Sequence, residues 1–272
     1  MAGCPTVIRH LPEPSRTGLT GGRSIIRTGL TGGRSIIRAV PANLMLTPGL
    51  ILAMWAGGMA LGVALVAGWK IVGVGFFWVT GATILLVGAW TAPEGGPGAW
   101  LGVAGTLVGL IFARRPSAAT AAFGLAGVGF VAEAATYGNV LLAISGAVAL
   151  GGVTDEMLLG HWYLVDPKLP RWALKRLDFV AAVALVADAA FLMLAGATVG
   201  SVVGWAFIVL AAMSALLMFG VWFSLKEPSY TGVMAATGLS YLAVLTALGA
   251  TVAGRSLIGD AANQLAASIL VR

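Results

Sequence analysis

The sequence has very little of the residues that most redox and metal sites are made of. Its 272 residues include one cysteine and two histidines. Cys4 and His10 both lie in a polar N-terminal segment, so a disulfide, a CxxC redox pair or a Cys-ligated cluster within one chain is excluded. His161 is the remaining histidine, which also excludes a bis-His haem buried in one chain. We therefore expect no cofactor held by this chain alone. A quinone is compatible with it, whereas haem or an iron–sulfur cluster would lie on a partner subunit.

Charged residues are scarce as well. They make up 10% of the chain, against 59% hydrophobic residues and a mean hydropathy of +0.96. A soluble domain has about a quarter charged residues, so a water-soluble globule and a disordered chain are both excluded. The composition predicts a polytopic all-α integral membrane protein surrounded by the lipid bilayer, with no nucleic-acid partner. No room remains for a large soluble catalytic domain, and we do not expect the isolated chain to be an enzyme.

Apolar runs predict about eight transmembrane helices. The runs are 49–68, 72–92, 98–113, 117–135, 139–164, 177–197, 200–224 and 229–253. Residues 48–135 and 136–253 would form two four-helix halves. LILAMWAGGMALG in the first run resembles VLLAISGAVALGG in the fifth, which favours a parallel 4+4 internal repeat. The alternative is that all helices rich in glycine, alanine and leucine look alike.

Both ends of the chain differ from the apolar part. Residues 1–47 form a basic tail that we expect to be flexible, in which RTGLTGGRSII at 16–26 is repeated without change at 27–37. One hypothesis is that Met45 is the functional start and that residues 1–44 are dispensable. The other is a basic arm that docks on an acidic partner or on anionic lipid. Residues 254–272 predict an amphipathic helix that lies at the membrane interface or contacts another subunit.

Basic residues predict the orientation in the membrane. Lys70, Arg114, Lys175 and Lys226 lie in alternate loops, and the loops between them have no basic residue. Because lysine and arginine in short loops stay cytoplasmic, these four loops should be cytoplasmic and both termini outside. We expect the cytoplasmic membrane of a prokaryote. The six arginines of the tail conflict with this orientation, which is a further reason to consider the tail dispensable.

Asp188 is the first candidate site residue. It lies within the apolar run VALVADAAFLML, where an ionised carboxylate costs at least about 2.5 kcal/mol. No basic residue is expected at the same depth, so a buried salt bridge within the chain is not predicted. Asp188 could act as a proton relay or contact a ligand. Alternatively, it could be a neutral acid that stabilises packing through a hydrogen bond.

A second set of candidates lies in the fifth run, where we expect it to approach the membrane surface. The set contains Asp155, Glu156, His161, Trp162 and Tyr163. At 100° per residue they face different directions, so this helix alone cannot bring them into one cluster. Imidazole, indole and phenol groups could hydrogen-bond a quinone carbonyl while a carboxylate takes up the proton. The alternative is an interfacial aromatic belt with acids paired to Arg171, Lys175 or Arg176.

Other polar residues carry weaker signals. Asp178 is expected to pair with Lys175 or to favour the helix N-terminus. Ser240 and Tyr241 could supply hydroxyl groups, although hydroxyls in helices commonly bond their own backbone. Glu133 lies near the end of the fourth run.

Two function classes follow from these residues. The first is a membrane subunit of a larger respiratory or redox complex, with protein partners, a quinone site and a proton path in which Asp188 is the relay. The second is a proton-coupled transporter of a small solute. A structural or assembly subunit without a ligand is a third possibility. The first is favoured because transporters of hydrophilic solutes line their path with more polar residues than this chain has.

Overall fold

A computed structural model describes residues 46–270, with side chains described as far as residue 260. Predictions about the basic tail, its repeat and the start at Met45 lie outside the described residues. The helices are α1 (Pro48–Trp69), α2 (Val74–Gly88), α3 (Pro97–Ile111), α4 (Pro116–Thr136), α5 (Val140–Val165), α6 (Arg171–Leu194), α7 (Val202–Ser224) and α8 (Tyr230–Leu270). Seven spans are long and apolar enough to cross a membrane. The second of them is α2 together with the 3-10 turn that continues it to Thr91, and α3 is a shorter apolar helix of 15 residues. The predicted polytopic all-α membrane protein is confirmed.

The starts of the helices follow from local chemistry. Three helices begin with proline at the first position, which needs no backbone N–H there. The side chains of Asn139 and Ser201 accept hydrogen bonds from the first turns of α5 and α7. The sixth helix begins at Arg171 and not at residue 177, because its first turn is helical but polar. An apolar run marks the buried part of a helix and misses such a turn.

The last helix is longer than predicted. It continues from Tyr230 to Leu270 without a break, so the predicted boundary at residue 254 falls inside α8. Gly254 does not end the helix. A Cβ at this position would collide with Leu192 and Phe207, so the glycine allows close packing of α8 on these residues. The side chains of residues 261–272, which the interfacial prediction concerns, are outside the described part of the chain.

Both halves have the same order of neighbouring helices. In the first half α1 packs on α2 and α4, and α3 packs on α4. In the second half α5 packs on α6 and α8, and α7 packs on α8. The halves meet mainly through α1 and α5, with a further contact between α4 and α5. A duplication of four helices would produce this arrangement, and the internal repeat remains a prediction.

Glycines bring the backbones of α1 and α5 into direct contact. A Cβ on Gly58 would lie 1.8 Å from the Ala147 carbonyl oxygen, and one on Gly151 would lie 2.1 Å from the Gly58 carbonyl carbon. Gly62 faces the Asp155 side chain further along, so the two helices run parallel. In lipid, small residues at such a crossing allow the van der Waals contact that holds helices together.

We expect Gly58→Ala to separate α1 from α5 and to lower the free energy of unfolding by about 1–3 kcal/mol. Gly238→Ala is the matched control, since this helical glycine has nothing within 4 Å of an added Cβ. There alanine should be neutral or slightly stabilising. Thermal unfolding in detergent, followed by circular dichroism, measures both. Equal melting temperatures for the two variants would contradict the close contact.

Candidate functional site

Four carboxyl side chains of the second half are buried inside the bundle. They are Asp155, Glu156, Asp178 and Asp188, and none is more than 4% exposed. The sequence predicts Asp155 and Glu156 near the membrane surface, and this depth stays a prediction. Both are fully buried close to the middle of α5, because this helix is 26 residues long and is covered by α1, α6 and α8.

Asp188 forms a buried salt bridge with Arg255 of α8. The Arg255 Nη2 atom lies 2.9 Å from Asp188 Oδ1, and Nη1 lies 3.1 Å from Oδ2. Ser145 also donates to Oδ1 at 2.6 Å, and Nη2 donates to the Leu142 carbonyl at 2.7 Å. The expectation that no basic residue reaches this depth is wrong, because α8 continues past residue 253 and carries Arg255 into the bundle. This pair links α6 to α8, and its other hydrogen bonds attach both helices to α5.

Asp155 faces α1. Neither of its carboxyl oxygens has a hydrogen-bond partner among the described residues. The absence of a side chain on Gly62 provides the space it occupies. On the preceding residue, Thr154 accepts a hydrogen bond of 2.8 Å from the Trp55 indole, which also joins α5 to α1.

Glu156 faces the opposite interface, towards α6 and α8. Ser240 of α8 donates a short hydrogen bond to its Oε2 atom, and Oε1 has no partner among the described residues. Asp178 of α6 lies within electrostatic range of Glu156, and its Oδ1 atom also has no partner in the described part of the chain. Glu156, Asp178 and Ser240 therefore form a buried polar group, which we call the Glu156 cluster.

The predicted ion pairs of these acids do not form. Among the described residues, the salt bridge between Asp188 and Arg255 is the only one. Lys175 lies on the outer side of α6 beside Trp69, whereas Asp178 points into the bundle. Arg171 donates to the backbone carbonyls of residues 227–229 and so ties the start of α6 to the loop before α8.

The three polar aromatic candidates at the end of α5 diverge, as the helical geometry predicts. Trp162 packs edge to face on Phe76 of α2, with ring centroids 6.1 Å apart. The Tyr163 hydroxyl lies 3.4 Å from Nε of Arg171. His161 is exposed, and its Nδ1 atom lies 3.5 Å from the Tyr241 hydroxyl of α8.

Residues of α8 were underestimated by sequence reasoning. Ser240 contacts Glu156, and the next residue, Tyr241, contacts His161. Two consecutive residues of α8 thus contact a buried carboxyl group and an exposed imidazole, respectively. Arg255 was missed, although a signal existed: Asp188 requires compensation, and Arg255 is the first basic residue after the last apolar run.

Glu133 has a structural explanation. Its carboxylate accepts hydrogen bonds from the backbone N–H groups of Gly96, at 2.8 Å, and Ala99, at 3.3 Å. It therefore stabilises the N-terminus of α3, where a negative charge is favourable.

Comparison with protein-family models, curated proteins and solved structures finds no match to this chain. Among the described residues, no three His, Cys, Asp or Glu side chains are grouped so that they could hold a metal ion. The Glu156 cluster is the candidate functional site of this chain.

Proposed function

We propose that this protein is a membrane subunit of a larger respiratory or redox complex, in which Glu156 transfers protons beside a quinone site. The observation that carries the proposal is the Glu156 carboxyl group. It is fully buried and hydrogen-bonded through one oxygen to Ser240, and its other oxygen has no partner in the part of the chain that the structure describes. Intramembrane acids of this kind are rare and usually functional.

Its chemistry suits proton transfer. An ionised carboxylate with one donor is costly in an apolar interior, and binding a proton removes the charge. Asp178 of α6 is a second buried acid of the same cluster. Each of these carboxyl groups can be neutralised by binding a proton. The Ser240 hydroxyl both donates and accepts hydrogen bonds, so it can take part in the transfer.

The quinone would bind at the exposed end of this arrangement. Tyr241 is 47% exposed on the outer surface of α8, next to His161. A quinone diffusing in the bilayer could approach this surface, where a phenol and an imidazole can donate hydrogen bonds to its carbonyl. A redox partner would supply two electrons, and two protons taken up by the quinone would complete its reduction to quinol.

In this proposal Asp188 contributes to structure. Its carboxylate already accepts three hydrogen bonds, two of them from a guanidinium group. The relay role predicted for Asp188 remains a prediction that the Arg255 contact disfavours.

The basic loops would face the cytoplasm. Trp69 and Trp172 are in contact, with ring centroids 5.1 Å apart, and Arg171 reaches the loop that follows Lys226. The loops after α1, α5 and α7 therefore meet at one end of the bundle, which we call the basic end. By the distribution of lysine and arginine in short loops, we propose that this end is cytoplasmic, in a prokaryotic membrane.

Gentle detergent extraction, followed by mass spectrometry and a visible spectrum, tests the proposal. We expect redox proteins with haem, flavin or iron–sulfur absorption to co-purify with this chain, and quinone reduction to be measurable in that complex. A lone, colourless protein whose reconstituted vesicles accumulate a solute would contradict this and support a proton-coupled transporter. A colourless complex without quinone activity would support a structural or assembly subunit.

A further inference from the structure

A lipid-facing groove lies at the basic end, between α1, α6 and α7. Its volume is about 420 Å³. Three tryptophans line it, Trp69, Trp172 and Trp222, together with the cations Lys175 and Arg176. Tryptophan is enriched at the level of the lipid headgroups, so this part of the groove lies where headgroups are found.

The two cations have no acidic partner. Neither Lys175 nor Arg176 forms an ion pair within the described residues. Arg176 instead stacks on the Trp172 ring, with its guanidinium carbon 4.7 Å from the ring centroid. This contact holds the guanidinium group at the groove, which the preceding residue, Lys175, also lines. An anion at the depth of the lipid headgroups would supply the counter-charge for these two residues.

A second groove adjoins the first along α6. It has a volume of about 330 Å³, lies between α5 and α6, and shares Phe179 and Val180 with the first. Val183, Ala187 and Phe191 line it further along α6. From Arg176 to Phe191 the helix rises about 22 Å, more than half of the roughly 30 Å thickness of the hydrocarbon core. The two grooves together are thus long enough for an acyl chain.

We propose that an anionic phospholipid binds in this combined groove. Its phosphate would lie between Lys175 and Arg176, and one acyl chain would run along Phe179, Val183 and Ala187. A basic pocket between transmembrane helices favours anionic headgroups. An apolar groove of this length favours an acyl chain attached to that headgroup over a free anion. This inference does not depend on the proposed redox function.

Titration of the full-length protein in detergent with fluorescent phosphatidylglycerol and phosphatidylcholine, followed by anisotropy, tests the proposal. We expect the wild type to prefer phosphatidylglycerol by about tenfold or more, given about 1 kcal/mol per cation. The double variant Lys175→Gln/Arg176→Gln should lose this preference. Arg114→Gln/Arg115→Gln removes the same charge from two exposed residues in another basic loop, and it should retain the preference.

A second pair of variants tests the acyl-chain path. Val183→Trp fills the groove, whereas Val186→Trp places the same side chain on exposed surface that does not line it. Only Val183→Trp should weaken binding of both lipids. Size-exclusion chromatography and circular dichroism confirm that each variant is folded. Equal affinity of the wild type for both lipids, an equal loss in both double variants, or displacement of bound lipid by millimolar inorganic phosphate would overturn the proposal.

Discussion

Replacing Glu156 by glutamine is expected to reduce quinone turnover and the coupled proton uptake by at least about 100-fold, the range of general acid–base catalysis. Glutamine has nearly the same shape and can still accept a hydrogen bond from Ser240, but it cannot bind and release a proton. The fold should therefore remain intact while the transfer stops. Steady-state quinone reduction and a pH-sensitive dye in vesicles containing the purified complex measure the two effects.

Asp155→Asn is the matched control for this variant. Asp155 is the neighbouring residue and is equally buried, but it faces α1 and has no contact with Ser240. We expect turnover to be retained. Ser240→Ala should give an intermediate loss, because the carboxyl group remains but its hydrogen-bonded neighbour is gone. Full activity of Glu156→Gln, or an equal loss in Asp155→Asn, would remove Glu156 from the proton path.

Arg255→Met is expected to lower the free energy of unfolding by about 3–5 kcal/mol, the cost of breaking a buried ion pair from one side. Methionine fills part of the volume but leaves the Asp188 carboxylate in the apolar interior with only the Ser145 hydroxyl as donor. The hydrogen bond from Arg255 to the Leu142 carbonyl, which joins α8 to α5, would also be lost. Thermal or denaturant unfolding of the full chain in detergent measures this change.

The double variant Asp188→Leu/Arg255→Met separates charge from packing. With both charges removed, most of the stability should return, because replacing a buried pair by apolar residues is often neutral or stabilising. A double variant as unstable as the sum of the two single variants would show that the charges do not interact. The quinone turnover of the double variant gives a second test. Retained turnover assigns Asp188 to structure, whereas a folded but inactive protein would restore Asp188 as the proton relay.

Much of the architecture could be predicted from the sequence. Low charge and high hydropathy required helices in a membrane, since only a helix or a closed barrel satisfies every backbone group there. Prolines and hydroxyl or amide caps fixed where several helices begin. The starts that were misjudged, such as that of α6 at Arg171, have polar first turns that hydropathy does not register.

The site was decided only by the tertiary structure. Asp188 and Glu156 are both acids within apolar helices, and from sequence Asp188 was the stronger candidate. A helix fixes the depth of a residue and the face on which it lies, but not which side chains meet it from other helices. Arg255, 67 residues away, neutralises Asp188, whereas Glu156 has Ser240 and a second acid beside it. In a low-dielectric interior these partners determine which carboxyl group can exchange a proton, because the cost of its charge depends on them.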